Sequence, residues 1–241
     1  MESNTFADDT NKFIQNISST EILQWDVVNW ERAIKFWEKK LGTDYFVDKK
    51  ALELGATAGG MSLWLAGMGA KVVCSDLQNP EEKALPSHSK YKFKNEIEYV
   101  IVDARDIPYE NEFDIIIFKS VLGGVGWDNR KDLQVKAINE IYKALKPGGV
   151  LLFVENLKST ALHMMARKMF LWYGNLWRYI GLNEMNEIFG IFPKIECKTT
   201  GFLGTFGRSE TQRNFLGKID GIISPILPKS FRYIIFGIAT K

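Results

Sequence analysis

Three carboxylates stand at the ends of successive apolar runs, and their surroundings suggest a common task. Glu53 lies near the end of Val47–Leu54, just before Gly55-Ala56-Thr57-Ala58-Gly59-Gly60. Glycine in such a strand-to-helix turn lets backbone approach a ligand where a Cβ would collide. The following helix start offers free N–H groups to a carboxylate, and Glu53 can accept from an ammonium. A tight turn packing helix on sheet would use the same glycines, so the loop alone does not define a site. Asp76 follows the second run, twenty-one residues after Gly55, where an acid can bind the two hydroxyls of a ribose. Asp103 follows the third run. Its carboxylate can take the exocyclic amine of adenine and the Ala104 N–H can meet a ring nitrogen, although capping the turn before Ile107-Pro108 is an equal use. An NAD reader would also place an acid at position 76, but the loop reads Gly55-x-x-x-Gly59-Gly60 and not G-x-G-x-x-G.

The elements that must hold these residues follow from periodicity. Strands are predicted at Val47–Leu54, Lys71–Ser75, Ile97–Val102, Phe113–Phe118 and Val150–Val154, with helices at Met61–Met68 and Leu133–Leu145 between them. The β-branched run Phe113–Phe118 is typical of a strand buried on both faces. Lys146-Pro147-Gly148-Gly149 reads as the turn ending the second helix. Alternating strands and helices imply a doubly wound α/β fold, with right-handed crossovers that bring the loops after the strands to one edge. Residues 12–41 read as a helix capped by Ser19 or Thr20 and stopped at Gly42. Lys194–Thr200 and Phe231–Ala239 supply candidate sixth and seventh strands.

In this order, Glu53-x-Gly55-x-x-x-Gly59, Asp76, Asp103-Ala104, Phe113-Asp114-Ile115-Ile116 and Leu145-Lys146-Pro147-Gly148-Gly149 resemble the class I S-adenosylmethionine-dependent methyltransferases. The likeness is strongest to the small-molecule branch with a type 11 methyltransferase domain, and it covers residues 47–155. It implies a mostly parallel seven-stranded sheet in a single domain spanning 1–241. A helical cap at 12–41, a cofactor core at 47–155, a helical lid at 157–193 and C-terminal strands at 194–241 would make up that domain. It also implies that Glu53, Gly55, Ala56, Thr57 and Gly59 hold the methionine part and Asp76 the ribose. Leu77 would lie against adenine, Asp103 and Ala104 would read its edge, and Lys119 would offer a backbone contact. Two departures stand out: Thr57 replaces the usual glycine, and Lys119-Ser120-Val121-Leu122-Gly123-Gly124 lacks the histidine pair common in relatives.

Methyl transfer is an in-line displacement that depends on orientation, and a hydroxyl acceptor also needs a general base. His163, at the start of the apolar insertion, and Glu155 and Asn156, after the fifth strand, are the candidates; His88 reads as solvated. The resemblance implies an acceptor region built from 12–41 and 157–193. There Met164, Met165, Phe170, Trp172, Tyr173 and Trp177 suit a small-molecule, sugar or lipid-type acceptor, although core packing between lid and sheet would use the same side chains.

Charge narrows the partners. The net charge is +2, divided into −4 over residues 1–160 and +6 over 161–241, where eleven Lys or Arg face five Asp or Glu. Met164–Ile180, with Arg167, Lys168 and Arg178, would suit peripheral contact with a membrane surface. The basic residues are dispersed, and no nucleic-acid partner is expected. Cys74 and Cys197 have no metal-ligand spacing, sit in apolar contexts and are expected to be buried thiols, with no metal site. The polar, acidic start lacks a signal peptide's apolar run, and no segment approaches the roughly 20 apolar residues of a membrane span, so a cytoplasmic protein is expected. The remaining alternative is a non-catalytic module of the same fold acting as a membrane-associated or partner-binding subunit.

Overall fold

A computed structural model describes residues 17–170 and 176–241. Residues 12–16 of the expected helix, and Trp172 and Tyr173, lie outside them. Seven strands form one sheet in the order β3-β2-β1-β4-β5-β7-β6. They are β1 (Lys50–Leu54), β2 (Lys71–Asp76), β3 (Ile97–Ile101), β4 (Phe113–Lys119), β5 (Leu145–Asn156), β6 (Lys194–Thr200) and β7 (Ile234–Thr240). The first five pair in parallel, while β7 runs antiparallel between β5 and β6.

Alternation along β4 divides the core into two layers. Ile115 and Ile117 face a cluster built on α1 (Ser19–Leu23), α2 (Val27–Leu41) and α3 (Gly60–Gly67), with Trp30, Trp37, Phe46 and Trp64 fully covered. Ile116 and Phe118 face the opposite layer, where Ala137, Ile138 and Ile141 come from α6 (Lys131–Ala144) and Phe189 from the turn after α8 (Met185–Ile188). Between them in the chain are α4 (Pro80–His88), α5 (Leu122–Val125) and α7 (Ala161–Phe170), and α9 (Glu210–Ile223) precedes β7.

Three local expectations need correction. Residues 19–41 are two helices: the chain breaks between Leu23 and Val27, where Gln24 (φ 68°) and Asp26 (φ 48°) adopt left-handed backbone. Ser18 caps α1, its hydroxyl accepting from Glu21 N at 3.2 Å, one residue before the expected cap. The start of α2 is capped from a distance. Glu210 accepts from Asp26 N and Val27 N, both at 2.9 Å, which no local pattern could reveal. Lys146–Gly149 belongs to β5 as an irregularity: the register slips between Phe113 and Ile115, and Lys146 Nζ bonds Asp114 at 2.9 Å. Cys74 is buried as expected but Cys197 is exposed. The Cys197 side chain lies on edge strand β6, which pairs only with β7.

Candidate functional site

The sheet order reverses between β1 and β4, the topological switch point where open α/β sheets bind ligands. The loops leaving these strands touch. Gly55 adopts φ +64°, and a Cβ there would sit 2.6 Å from Val121 Cγ2, so glycine is required by conformation and by space. Helix α1 lies directly on the same loop, because a Cβ on Gly60 would meet Ile22 O at 2.0 Å. Thr57 takes φ 54°, an αL position that glycine occupies without strain, and its N–H donates to Asp76 Oδ2 at 2.8 Å. The other Asp76 oxygen accepts from Leu77 N at 2.7 Å, leaving the exposed Leu77 side chain beside the carboxylate.

Glu53 is buried beneath this loop and accepts from Ser62 N at 2.7 Å and Met61 N at 3.3 Å. Burial raises its pKa to about 7, against the opposing pull of those bonds and of Lys119. A half-protonated carboxyl that gains by meeting a cation fits an amino-acid ammonium. Behind the loop, His88 departs from the solvated expectation: it is buried, with Nε2 at 2.8 Å from Gly59 O and Nδ1 at 2.8 Å from the Tyr99 hydroxyl.

Asp103 sits at the same edge, but its carboxylate is forked by Arg105. Nε lies 2.9 and 3.0 Å from its two oxygens and Nη2 2.6 Å from Oδ2. That guanidinium holds the Asp103 carboxyl below the usual range. The partner two residues along was not weighed in the sequence pattern. Ala104 is buried next to it.

A cavity of about 550 Å³ opens from the Glu53–Thr57 loop toward the cap. Lys119 enters it from the end of β4, its ammonium 4.8 Å from the Trp25 ring and 4.9 Å from the Trp30 ring. The expectation of a backbone contact alone therefore misses the side chain. Desolvation lowers the Lys119 pKa to about 8 despite the nearby Glu53, Glu155 and Asp26 carboxylates. Asn156 also lines the cavity and donates to Ser120 Oγ at 2.8 Å. Trp177 covers Gly123 and Gly124, since a Cβ at Gly123 would fall 1.6 Å from Trp177 Nε1. The close approach of that tryptophan accounts for the glycines at both positions.

The opposite wall contains residues that the sequence did not single out. Asp26 is buried and accepts from the Tyr233 hydroxyl and, at 3.2 Å, from Asn29 Nδ2. Asn29 also reaches Asp220 at 3.0 Å, so the helix break, α9 and the start of β7 share one polar network. Desolvation lifts the Asp26 pKa to about 7. Arg208 and Arg213 line the cavity as well, beside Arg167, which the sequence pattern assigns to a membrane-facing segment. The only local signal for these residues was the basic C-terminal third.

Neither His163 nor Glu155 reaches the cavity wall. His163 is fully buried, with Nδ1 at 2.7 Å from Thr160 Oγ1 and Nε2 at 2.9 Å from Phe202 O. Phe202, Phe206 and Tyr233 pack around its ring. Both nitrogens are used structurally and burial lowers its pKa, so it pins α7 to the segment after β6. Glu155 accepts from Leu122 N at 2.7 Å and Asn156 N at 2.8 Å, fixing the loop after β4. Burial raises its pKa to about 7.

The sheet, with antiparallel β7 inserted between β5 and β6 and the ligand loop at the switch point, is the fold of S-adenosylmethionine-dependent methyltransferases. Residues 52–153 match the family described as a methyltransferase domain. Similar solved structures include phosphoethanolamine N-methyltransferase 2 of Haemonchus contortus in complex with S-adenosylmethionine. It is 20% identical with TM-score 0.64, and the match covers 96% of this chain and 60% of that one. The same enzyme with phosphomonomethylethanolamine and S-adenosylhomocysteine matches at 18% identity and TM-score 0.61, over 88% of this chain and 52% of that one. This chain thus spans between half and three-fifths of those proteins. The N-methyltransferase NodS of Bradyrhizobium japonicum, holding S-adenosylhomocysteine, is 16% identical with TM-score 0.57, covering 88% and 86% of the two chains. No curated protein matches the sequence.

Proposed function

We propose that this chain transfers a methyl group from S-adenosylmethionine to a small-molecule acceptor held in the cavity. One observation carries the reading: Glu53, Gly55 and Thr57 open into the same 550 Å³ space as Trp25, Asp26, Lys119, Trp177 and Tyr233. A donor site and an acceptor site are then continuous, as in-line displacement requires. The donor supplies an electrophilic methyl on a sulfonium. Glu53 receives the amino-acid ammonium, and the backbone of Gly55, Ala56, Thr57 and Gly59 follows the methionine chain. Asp76 accepts from the ribose hydroxyls in place of the Thr57 amide, and Leu77 covers adenine. Asp103, shared with Arg105, and Ala104 meet the adenine edge.

Proton removal from the acceptor falls to Asp26 or Lys119, which line the cavity with pKa values near 7 and 8, close to a working pH. Trp25, Trp177 and Tyr179 provide rings on which a sugar or another small acceptor can stack. The phosphomonomethylethanolamine held by the Haemonchus enzyme supports a compact acceptor. Calorimetric titration of wild type and Asp76→Ala with S-adenosylhomocysteine tests the donor half. The variant should bind about ten- to a hundredfold more weakly, from loss of a charge-assisted hydrogen bond. Equal affinities would remove Asp76 from the site.

A further inference from the structure

Helices α7 and α9 carry their polarity in the order opposite to that of an ordinary surface helix. On α7, His163 and Arg167 are buried: the imidazole Nε2 lies 2.9 Å from Phe202 O, and the guanidinium donates to Leu157 O at 2.7 Å. Leu162, Met165 and Met169, at i, i+3 and i+7, form the outer stripe and are 51, 55 and 63% exposed. On α9, Asp220 is buried, and its two oxygens accept from Leu203 N at 2.7 Å and Gly204 N at 2.9 Å. Phe215 and Ile222 on the outer side are 65 and 77% exposed, and Ile226 just past the helix 82%. Polar groups of both helices thus clasp one segment, Phe202 to Gly204, and leave apolar faces outside. The exposed Phe231 links the two: its carbonyl accepts from Ser159, just before α7, at 2.7 Å. The neighbouring Arg232 donates to Leu227 O at 2.8 Å and holds the Ile226 turn beside it.

We infer that this face docks on an anionic lipid surface. Exposed apolar side chains taken singly are ordinary, but grouped ones mark an interaction site. Charge selects the occupant. Lys158 and Lys168 accompany the α7 stripe, Lys218 lies between Phe215 and Ile222, and Lys229 precedes Phe231 by two residues; all four lysines are exposed. Residues 157–170 contain no Asp or Glu. In residues 208–232 the acids are Asp220, which is buried, and Glu210, whose oxygens accept from Asp26 N and Val27 N. Apolar side chains among lysines, with no exposed acid, match the boundary between anionic headgroups and acyl chains. A second copy packed face to face would oppose lysine to lysine. No helix among the described residues is long and apolar enough to cross a membrane, so the contact is peripheral. Of the basic residues that the sequence assigns to such contact, Lys168 alone is on this face. Arg167 turns inward to Leu157 O, and Arg178 bonds Gln134 Oε1 at 2.6 Å and Glu184. Ala166 of α7 and Arg213 of α9 line the cavity, so docking sets the acceptor site beside the lipid.

The test sediments the full-length protein with vesicles of phosphatidylcholine containing about one-third phosphatidylglycerol, and with vesicles of phosphatidylcholine alone. The expected result is pelleting with the anionic vesicles and at least about tenfold weaker partition into the neutral ones. Lys168→Ala and Lys218→Ala should each weaken the anionic partition about fivefold, and added salt should weaken it for wild type. Met165→Ser with Met169→Ser, or Phe215→Ser with Ile222→Ser, should weaken it about tenfold or more. Ile101→Ser, at an exposed apolar site on the far edge strand β3, should change nothing. All the substituted side chains are exposed, so the variants should melt with wild type. Failure to pellet with anionic vesicles, or pelleting insensitive to both apolar pairs, overturns the inference. A dimer in light scattering that Ile222→Ser dissociates assigns the face to a second copy and overturns it as well. No methyl donor enters the assay, so either outcome leaves the methyltransferase reading as it stands.

Discussion

Lowering the pH from 8 to 6 should weaken binding of S-adenosylhomocysteine about tenfold, because the ligand ammonium needs an ionised Glu53. With the Glu53 pKa raised to about 7 by burial, roughly nine-tenths of the carboxyls are ionised at pH 8 and about one-tenth at pH 6. Apparent affinity scales with the competent fraction, so the ratio is about ten, or about 1.4 kcal/mol. The sign follows from the raised pKa: the free protein holds a proton that binding expels. Calorimetry at pH 6, 7 and 8 in buffers of different ionisation enthalpy should show release approaching one proton at pH 6 and little at pH 8. Glu53→Gln should bind weakly at every pH and lose the slope. Asp26 and Glu155 also titrate near 7 but make no hydrogen bond to the donor loop, so the variant isolates Glu53. An affinity constant within twofold from pH 6 to 8, or a slope retained in Glu53→Gln, would refute the assignment.

Other consequences follow from the same geometry. The Asp26 pKa is raised above its unfolded value of 3.8 to about 7, so the folded state holds an extra proton between those limits and this residue's contribution to stability declines as pH rises through them. Asp26→Asn should therefore gain melting temperature relative to wild type at pH 8 compared with pH 5, and a pH-independent difference would contradict the buried-carboxyl account. Gly123→Ala should displace Trp177 and lower stability by about 1–3 kcal/mol, read by urea unfolding with indole fluorescence. His163→Ala should lose about 1–3 kcal/mol through its unpaired buried partners, yet keep S-adenosylhomocysteine affinity. A loss of affinity without loss of stability would return His163 to the site.

The parallel core was legible because each strand carries its own apolar run and each connection its own turn residues. The places of Gly55 and Asp76 were legible for a similar reason: a strand-to-helix turn and the next strand end are set by local spacing. The cap wall was not. Asp26 acquires its role from Glu210 and Tyr233, partners 184 and 207 residues away, and nothing near it in sequence reports them. His163 appeared catalytic because an isolated histidine in an apolar segment gives no sign that Thr160 and Phe202 occupy both its nitrogens. Asp103 shows the opposite failure, since Arg105 stands two residues away in plain view. The two-helix break at Gln24–Asp26 overrode a continuous apolar period because Glu210 supplies the cap that a new helix start needs.

The central claim is that this protein moves a methyl group from S-adenosylmethionine to an acceptor in the cavity behind Glu53. Incubating wild type and Glu53→Gln with methyl-labelled S-adenosylmethionine and a cell extract, then separating small molecules, tests it directly. The account predicts a labelled small molecule formed by wild type and reduced at least about tenfold by the variant. Label that never leaves the donor with wild type, or transfer equal in both proteins, would contradict it.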